Sequence, residues 1–206
     1  MRLRPDWETV VAAVLDAVLD LPQVDPTRVA LSGWSLGGYL APRAACFEPR
    51  LAACIADPGR LDVAGGYRAV AVRCGATVEQ ARDLGTLPQD VIERMEGAMR
   101  QDRVRRWSVM GRGYWVHGVS GLRAYLADLE RYTLRGHVGN LRCPTLVTRA
   151  EDDAIADDAE AFYDALVGPK TLLRFAAAEG AGGHCEMGNR SLLNRRVLDW
   201  LDETLA

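Results

Sequence analysis

Cysteine, lysine and histidine are scarce in this sequence, and the few that occur are scattered along its 206 residues. The five cysteines are odd in number, and no two of them form a Cys-x-x-Cys pair. This pattern argues against a disulfide framework and against a zinc site. Neither a cluster of ligating side chains nor a glycine-rich dinucleotide fingerprint is present, so we expect no metal and no organic cofactor. The cysteine pattern favours a reducing, cytoplasmic location.

The sequence also lacks a strong charge of one sign and any long apolar run. Its formal net charge is −3, with 49% hydrophobic and 26% charged residues. This balance gives no reason to expect a nucleic acid or an anionic membrane as a partner. No stretch is long enough to cross a bilayer, and the N-terminal residues contain no apolar run resembling a signal peptide. The composition fits one globular domain with room for a core.

Short apolar segments alternate with helical patterns in most of the chain. The predicted strands lie in RVALSG (28–33), LAACIADPG (51–59), CPTLVT (143–148) and TLLRFA (171–176). Helices are predicted at 6–20, with Asp6 as the cap, at 36–47, where Pro42 should cause a bend or an early end, and at 191–205. Strands that alternate with helices are typical of an α/β domain with a mostly parallel sheet.

Residues 62–140 interrupt this alternation. Three helical pieces, at 77–84, 88–101 and 120–132, surround an aromatic segment, RRWSVMGRGYWVHGV at 105–119. We predict this aromatic segment to be a loop. The whole region is expected to be a helical lid insertion over the sheet, so that residues 1–206 form a single domain.

The motif GWSLG at 33–37 lies between a predicted strand and a predicted helix, which is the context that a nucleophile elbow requires. Such a turn is tight, so the residues two before and two after the serine must be small. Here they are Gly33 and Gly37, with Gly38 as well. A helix that starts after Ser35 aims its unpaired N–H groups at the reaction site. The N–H of Leu36 is therefore a candidate oxyanion donor.

A serine nucleophile needs a base, and the base needs an acid partner. The expected chain order is Ser, then Asp or Glu, then His. His184 follows the last predicted strand in a glycine-rich loop, EGAGGHCE, whereas the other two histidines, His117 and His137, precede the candidate acid strand. Three acidic residues follow that strand: Glu151, Asp152 and Asp153. The parts occur in the right order at carboxyl ends of strands, where open α/β sheets bind ligands, and they predict a Ser-His-Asp triad.

Seven motifs span nearly the whole chain: DWETVV, VDPTRVALSGWSLGGYLAPRAA, EPRLAACIADPG, WVHGV, CPTLVTRAEDD, EGAGGHCE and LDWLDETL. Together they resemble the α/β-hydrolase superfamily, and within it a branch that contains 2,6-dihydroxypseudooxynicotine hydrolase and fungal polyketide-shortening pigment hydrolases. The resemblance implies Ser35 as the nucleophile and His184 as the base. The acid loop of the superfamily usually has glycine three residues before the aspartate. With Ala150 at that glycine position, the resemblance implies Asp153 as the acid, and Asp152 remains the alternative.

Members of this branch cleave a carbon–carbon bond next to a carbonyl, or an ester. The resemblance therefore implies a hydrolase that acts on a ketone or polyketide-like small molecule. The candidate substrate-binding residues are Trp34, Trp107, Tyr114, Trp115 and His117. The alternative for the insertion aromatics is that they only pack the lid onto the sheet. Two other functions stay open: a non-catalytic remnant that associates with another chain, and an acyltransferase or lyase using the same triad.

The resemblance covers only the C-terminal half of the family fold, because the strands that usually precede the elbow are absent. No HGG-type string, which usually carries the second oxyanion donor, lies upstream of Ser35. We therefore expect the strand at 28–33 to have an unpaired edge of backbone groups. A second copy of the chain or another protein is expected to cover that edge.

Overall fold

The computed structural model describes residues 2–154 and 157–206 of the protein. The strands are β1 (Ala30–Trp34), β2 (Ala53–Asp57), β3 (Thr145–Ala150) and β4 (Lys170–Phe175). The α-helices are α1 (Glu8–Leu19), α2 (Gly37–Ala45), α3 (Gly65–Arg73), α4 (Gln89–Gln101), α5 (Arg103–Arg105), α6 (Tyr114–His117), α7 (Leu122–Leu129), α8 (Ala159–Ala165) and α9 (Arg190–Thr204).

The chain divides into two compact units. The sheet unit contains Asp6–Leu61 and Leu134–Ala206, and the helical unit contains residues 2–5 together with Asp62–Thr133. Residues 134–140, which the sequence analysis places at the end of the insertion, lie in the sheet unit, where the N–H of Leu134 donates to the carbonyl of Leu61 over 2.8 Å. That the whole chain acts as a single domain stays a prediction.

The four strands of the sheet unit form one parallel sheet in the order β1-β2-β3-β4. The prediction of an α/β domain with a parallel sheet is therefore confirmed. Every residue of β2 is buried, as expected for a central strand between two parallel neighbours. In the described part of the chain, β1 pairs with β2 alone. Coverage of its other edge by a partner or a second copy stays a prediction.

Helix α2 continues past Pro42, contrary to the expected early end, whereas the alternative of a bend stays a prediction. It continues to Ala45, and Pro42 is buried inside it. A proline cannot donate to the carbonyl four residues earlier, which here belongs to Gly38. That carbonyl instead accepts a hydrogen bond from the N–H of Arg60, at 3.3 Å. The tertiary contact replaces the missing helical bond, so the helix does not need to end.

Helix α1 begins two residues later than predicted. Its N-cap is Trp7, without a side-chain cap hydrogen bond, and Asp6 contributes its backbone carbonyl to the N–H of Thr9 instead. The predicted capping by Asp6 is therefore wrong. Within the apolar stripe of the helix only Val11 and Leu15 are buried.

The aromatic segment of the helical unit is helical, so the predicted loop is wrong. Helix α5, a π-helix over Arg106–Gly113, and α6 follow one another from residue 103 to residue 117. Gly113 marks close packing rather than a turn, because a Cβ at this position would lie 3.1 Å from the ring of Tyr125. Helix α3 has no counterpart among the predicted elements.

Candidate active site

The turn that carries Ser35 joins the end of β1 to the start of α2. Ser35 has φ of +58°, a left-handed conformation that is uncommon for a residue with a side chain and that occurs where surrounding structure holds it. Its N–H donates to the carbonyl of Asp57 at the end of β2, at 2.7 Å. The sharp turn is thus fastened to the neighbouring strand, and the strand–turn–helix context of a nucleophile elbow is present.

Two of the three glycines named in the sequence analysis make this turn possible. A Cβ at Gly33 would lie 2.0 Å from the carbonyl oxygen of Gly37, and one at Gly38 would lie 1.8 Å from that of Pro58. A Cβ at Gly37 would meet nothing within 4 Å. The steric demand therefore falls on Gly33 and Gly38, and the argument that Gly37 must be small is wrong.

Three side chains from distant parts of the chain meet at this turn. His184 Nε2 lies 2.9 Å from Ser35 Oγ, and His184 Nδ1 lies 2.8 Å from Asp153 Oδ2. Ser35 follows β1, Asp153 follows β3, and His184 lies in the loop between β4 and α9. Asp152 is exposed and contributes only its N–H to the carbonyl of Gly182, at 2.8 Å. The geometry thus joins Asp153, not Asp152, to the imidazole.

Asp153 and His184 differ in their exposure to solvent, and the contacts of His184 change its pKa. The side chain of Asp153 is 2% exposed, whereas that of His184 is 35% exposed. The hydrogen bond that His184 donates to Asp153, followed by its contact with Cys185, raises the pKa of His184 to about 10, against the opposing effect of burial. A buried carboxylate that accepts from Nδ1 holds the ring so that Nε2 faces the hydroxyl of Ser35.

Leu36 is the N-cap of α2, and no side chain caps that helix end. Its backbone N–H makes no hydrogen bond within the described residues. An N–H group left open directly after the serine is the donor that an oxyanion would use. The predicted role of Leu36 stays a prediction.

A cluster of buried charged groups that the sequence analysis did not identify lies next to this constellation. It consists of Asp57 at the end of β2, Glu186 two residues after His184, and Arg190 at the start of α9. The guanidinium Nη1 of Arg190 lies 3.5 Å from Asp57 Oδ2 and donates to the carbonyl of Cys185 over 2.9 Å. A glutamate two positions after a candidate base was the available signal in the sequence.

The predicted substrate-binding residues are divided between the two units. Trp34, in the sheet unit, is exposed, with the guanidinium of Arg190 stacked 3.9 Å from its ring centre. Trp107 and Trp115, in the helical unit, are also exposed. Tyr114 and Trp115 line a cleft of about 450 Å³ within the helical unit. Substrate binding by these residues stays a prediction.

His117 is placed differently from the other predicted lining residues. Its side chain is 3% exposed, and its Nδ1 lies 2.7 Å from Asp128 Oδ2 inside the helical unit. Its ring packs edge-on against Tyr125 and Tyr132. This environment gives His117 a packing role within its own unit and leaves little of its side chain free to touch a ligand.

Known protein families provide a comparison for this fold and site. The model of the "Alpha/beta hydrolase family" matches residues 2–192. The chain belongs to the alpha/beta hydrolase family. Its fold is that of this family, and the resemblance inferred from the sequence motifs is confirmed.

Among relatives of this alpha/beta hydrolase, the 20-hydroxy-prefusarin hydrolase FUS2 of Gibberella moniliformis is 30% identical over 218 residues, which cover 100% of this chain and 51% of the relative. The hydrolase LUC6 of a Fusarium species is 32% identical over 99% of this chain and 51% of its own length. The solved structure of 2,6-dihydroxy-pseudo-oxynicotine hydrolase superposes with a TM-score of 0.66 at 22% identity, over 100% of this chain and 48% of that one. The chain thus spans about half the length of the curated relatives it matches.

Metal sites and membrane-spanning helices are two further features that bear on function. Groups of three or more side chains suited to hold a metal ion do not occur within residues 2–154 and 157–206. No helix in this described part is both long enough and apolar enough to span a membrane.

Proposed function

We propose that this alpha/beta hydrolase is a serine hydrolase in which Ser35, His184 and Asp153 act as a catalytic triad on a carbonyl compound. The observation that carries the proposal is the unbroken chain of contacts, 2.9 Å from Ser35 Oγ to His184 Nε2 and 2.8 Å from His184 Nδ1 to Asp153. The left-handed serine at the strand–helix turn supports the same assignment, because this strained conformation exposes the hydroxyl.

The proposed reaction follows from these positions. The oxygen of Ser35 attacks the carbonyl carbon while its proton passes to His184 Nε2, and the N–H of Leu36 donates to the developing oxyanion. The carbon–carbon or carbon–oxygen bond to the leaving group then breaks, and His184 gives the proton to that group. Water attacks the acyl-Ser35 ester with His184 as base, which releases a carboxylic acid and restores the serine. Asp153 holds the ring and stabilises the imidazolium.

The proposed substrate class is a ketone, an ester or another polyketide-like carbonyl compound. Its support comes from the relatives, whose names include a 20-hydroxy-prefusarin hydrolase and a 2,6-dihydroxy-pseudo-oxynicotine hydrolase. Exposed Trp34, next to the nucleophile, supplies an aromatic surface for such a compound. The chain covers only about half the length of these relatives, so its activity and its substrate are proposed for this chain and are not carried over from them.

Covalent labelling with a fluorophosphonate probe tests the nucleophile, because the probe forms a phosphonyl ester with an activated serine and releases fluoride. We expect intact-mass spectrometry to show one adduct on the unmodified chain and none on Ser35→Ala. Ser32→Ala is a matched control, since Ser32 is an exposed residue of the same strand, and it should label at the rate of the unmodified chain.

The labelling experiment, followed by product analysis, separates the alternative functions. A protein that is folded by circular dichroism and does not label at all would contradict the serine-hydrolase proposal and favour a non-catalytic remnant. If labelling occurs, product analysis with and without a competing alcohol distinguishes hydrolysis from acyl transfer. An ester product in the presence of the alcohol, with no free acid, would identify an acyltransferase instead of a hydrolase.

A further inference from the structure

Glu186 is a buried acid whose surroundings do not suit a carboxylate. The residue is 1% exposed, and its two carboxyl oxygens have no hydrogen-bond donor among the described residues. Leaving a buried charge without a donor is strongly unfavourable, so such a group either finds a partner or becomes neutral. Asp57, itself 1% exposed, lies beside this loop. Arg190 Nη1 contacts both Asp57 Oδ2, at 3.5 Å, and the carbonyl of Cys185, the residue before Glu186, at 2.9 Å. Cys185 Sγ also lies 3.6 Å from the carbonyl oxygen of Asp57.

Asp57 has the environment of an ionised acid. Its Oδ1 accepts a hydrogen bond from the hydroxyl of Thr148 at 3.0 Å, and its Oδ2 lies 3.5 Å from the guanidinium of Arg190. Its backbone carbonyl also accepts from the N–H of Ser35 at 2.7 Å. Asp57 therefore joins the nucleophile turn to β3 and to α9, and its carboxylate is free to accept one more hydrogen bond.

The buried charges of this cluster balance only if one of the two acids carries a proton. Two ionised carboxylates, Asp57 and Glu186, each 1% exposed, would face a single guanidinium, that of Arg190, whose side chain is 22% exposed. Two carboxylates also cannot hydrogen-bond to each other, because both are acceptors. Donors surround Asp57 and not Glu186, so the proton belongs on Glu186.

The geometry points to Glu186 as a positioning residue that donates its carboxyl proton in a hydrogen bond to Asp57 and so fastens the loop that carries His184 to the strand end behind Ser35. The inference rests on the proposed function of Ser35 and His184. It adds a neutral acid to the site, one that touches neither the substrate nor the reacting atoms.

The backbone of this loop shows why such a fastening is needed. Cys185 and Glu186 both have φ near +50°, a conformation that is costly for residues with side chains. Two consecutive residues in this region persist only when side-chain contacts hold them. The bond from Arg190 to the Cys185 carbonyl, at 2.9 Å, holds the loop from one side. The proposed hydrogen bond from Glu186 to Asp57 would hold it from the other.

The titration of Glu186 agrees with this assignment. Burial, and after it the charge and hydrogen bond of Asp57, raises the pKa of Glu186 to about 9; Asp153 acts in the same direction and Arg190 opposes it. The other groups on the loop itself are His184 and Cys185. An acid with a raised pKa keeps its proton in the folded chain while the unfolded chain loses it, so between the two pKa values stability falls as pH rises.

Two measurements on Glu186→Gln, Glu186→Ala and the surface control Glu203→Gln test the inference. The first is the second-order rate of fluorophosphonate labelling at pH 7. We expect Glu186→Ala to label at least about tenfold more slowly than the unmodified chain. Glu186→Gln, which keeps a neutral donor toward Asp57, should recover most of that loss. Equal rates for the alanine and glutamine variants would contradict the fastening role.

The second measurement is the thermal midpoint at pH 5 and pH 8, which does not depend on catalysis. Glutamine does not titrate. The thermal midpoint of Glu186→Gln, relative to that of the unmodified chain, should therefore rise by about 3 °C or more from pH 5 to pH 8. His184 is present in both proteins, so its own titration cancels in the comparison. The control Glu203→Gln should show no such gain.

A glutamine variant that instead loses stability relative to the unmodified chain as pH rises would show that Glu186 is ionised, and would overturn the inference. If the unmodified chain does not label at all, the proposed function fails. The melting comparison then still decides where the proton lies.

Discussion

Two histidine–aspartate pairs in this protein have the same contact and opposite surroundings. His184 Nδ1 lies 2.8 Å from Asp153, and His117 Nδ1 lies 2.7 Å from Asp128. The His184 side chain is 35% exposed and its other nitrogen meets the hydroxyl of Ser35 at 2.9 Å. The His117 side chain is 3% exposed. Its ring lies 5.0 Å from that of Tyr125, centre to centre.

The comparison teaches that the pair itself does not make a site. In both places a carboxylate fixes the tautomer and orientation of an imidazole. What differs is the group at the second nitrogen and its access to solvent. Next to Ser35 the ring is placed to accept a proton, whereas among tyrosines the ring fills space and joins α6 to α7. Asp128 is in addition bonded to Arg131 at 2.9 Å, as in a structural ion pair.

Replacing each histidine by alanine is the strongest test of this comparison. His184→Ala removes the base that we assign to Ser35, so we expect fluorophosphonate labelling to slow by about a thousandfold or more. His117→Ala leaves a cavity and removes one of the two partners of Asp128, so we expect a loss of about 2–4 kcal/mol in the free energy of unfolding. Its labelling rate should fall far less than that of His184→Ala. Equal slowing by both variants at a temperature where both are folded would show that the two pairs do not have separate roles.

Replacing each aspartate by asparagine keeps the shape and changes only the acceptor. Asp153→Asn lets His184 adopt the wrong tautomer, so labelling should fall by about a hundredfold to ten-thousandfold with little change in the melting temperature. Asp128→Asn weakens two buried or partly buried contacts, so its main effect should be a loss of about 1–3 kcal/mol in stability. Labelling kinetics and thermal melts on the same samples measure both. If the two variants exchange these effects, the assignment of the two pairs is wrong.

The sheet unit could largely be predicted from the sequence. Apolar strand segments and the glycines of the elbow are local signals. They predict all four strands, and they place Ser35 after the first strand and His184 after the last. The predicted need for a small residue at Gly37 was wrong, because the close contact after the serine is made by Gly38, against the carbonyl of Pro58 in the turn that follows β2. Likewise, the helix around Pro42 depends on a hydrogen bond from Arg60, which no local pattern reveals.

The helical unit was less accessible to the same reasoning. Its aromatic segment contains glycines that resemble loop signals, whereas Gly113 makes room for Tyr125 on α7. The buried acids show the same limit within the site. Glu186 and Asp57 are 129 residues apart in the chain, so their shared proton follows from tertiary packing alone. Local propensity cannot represent a contact of that kind.

The smallest expected effect is a shift in the pH dependence of labelling. Labelling requires neutral His184, and the hydrogen bond that His184 donates to Asp153 raises the pKa of this imidazole above its ordinary value of 6.5, to about 10. The labelling rate of the unmodified chain should therefore still climb steeply at pH 8, where an imidazole of ordinary pKa is already deprotonated. Removing the first cause of the shift, in Asp153→Asn, should lower the midpoint by about one unit or more, while Asp128→Asn should leave it in place. A midpoint near 6.5 in the unmodified chain, or the same midpoint in both variants, would contradict the idea that Asp153 sets the basicity of His184.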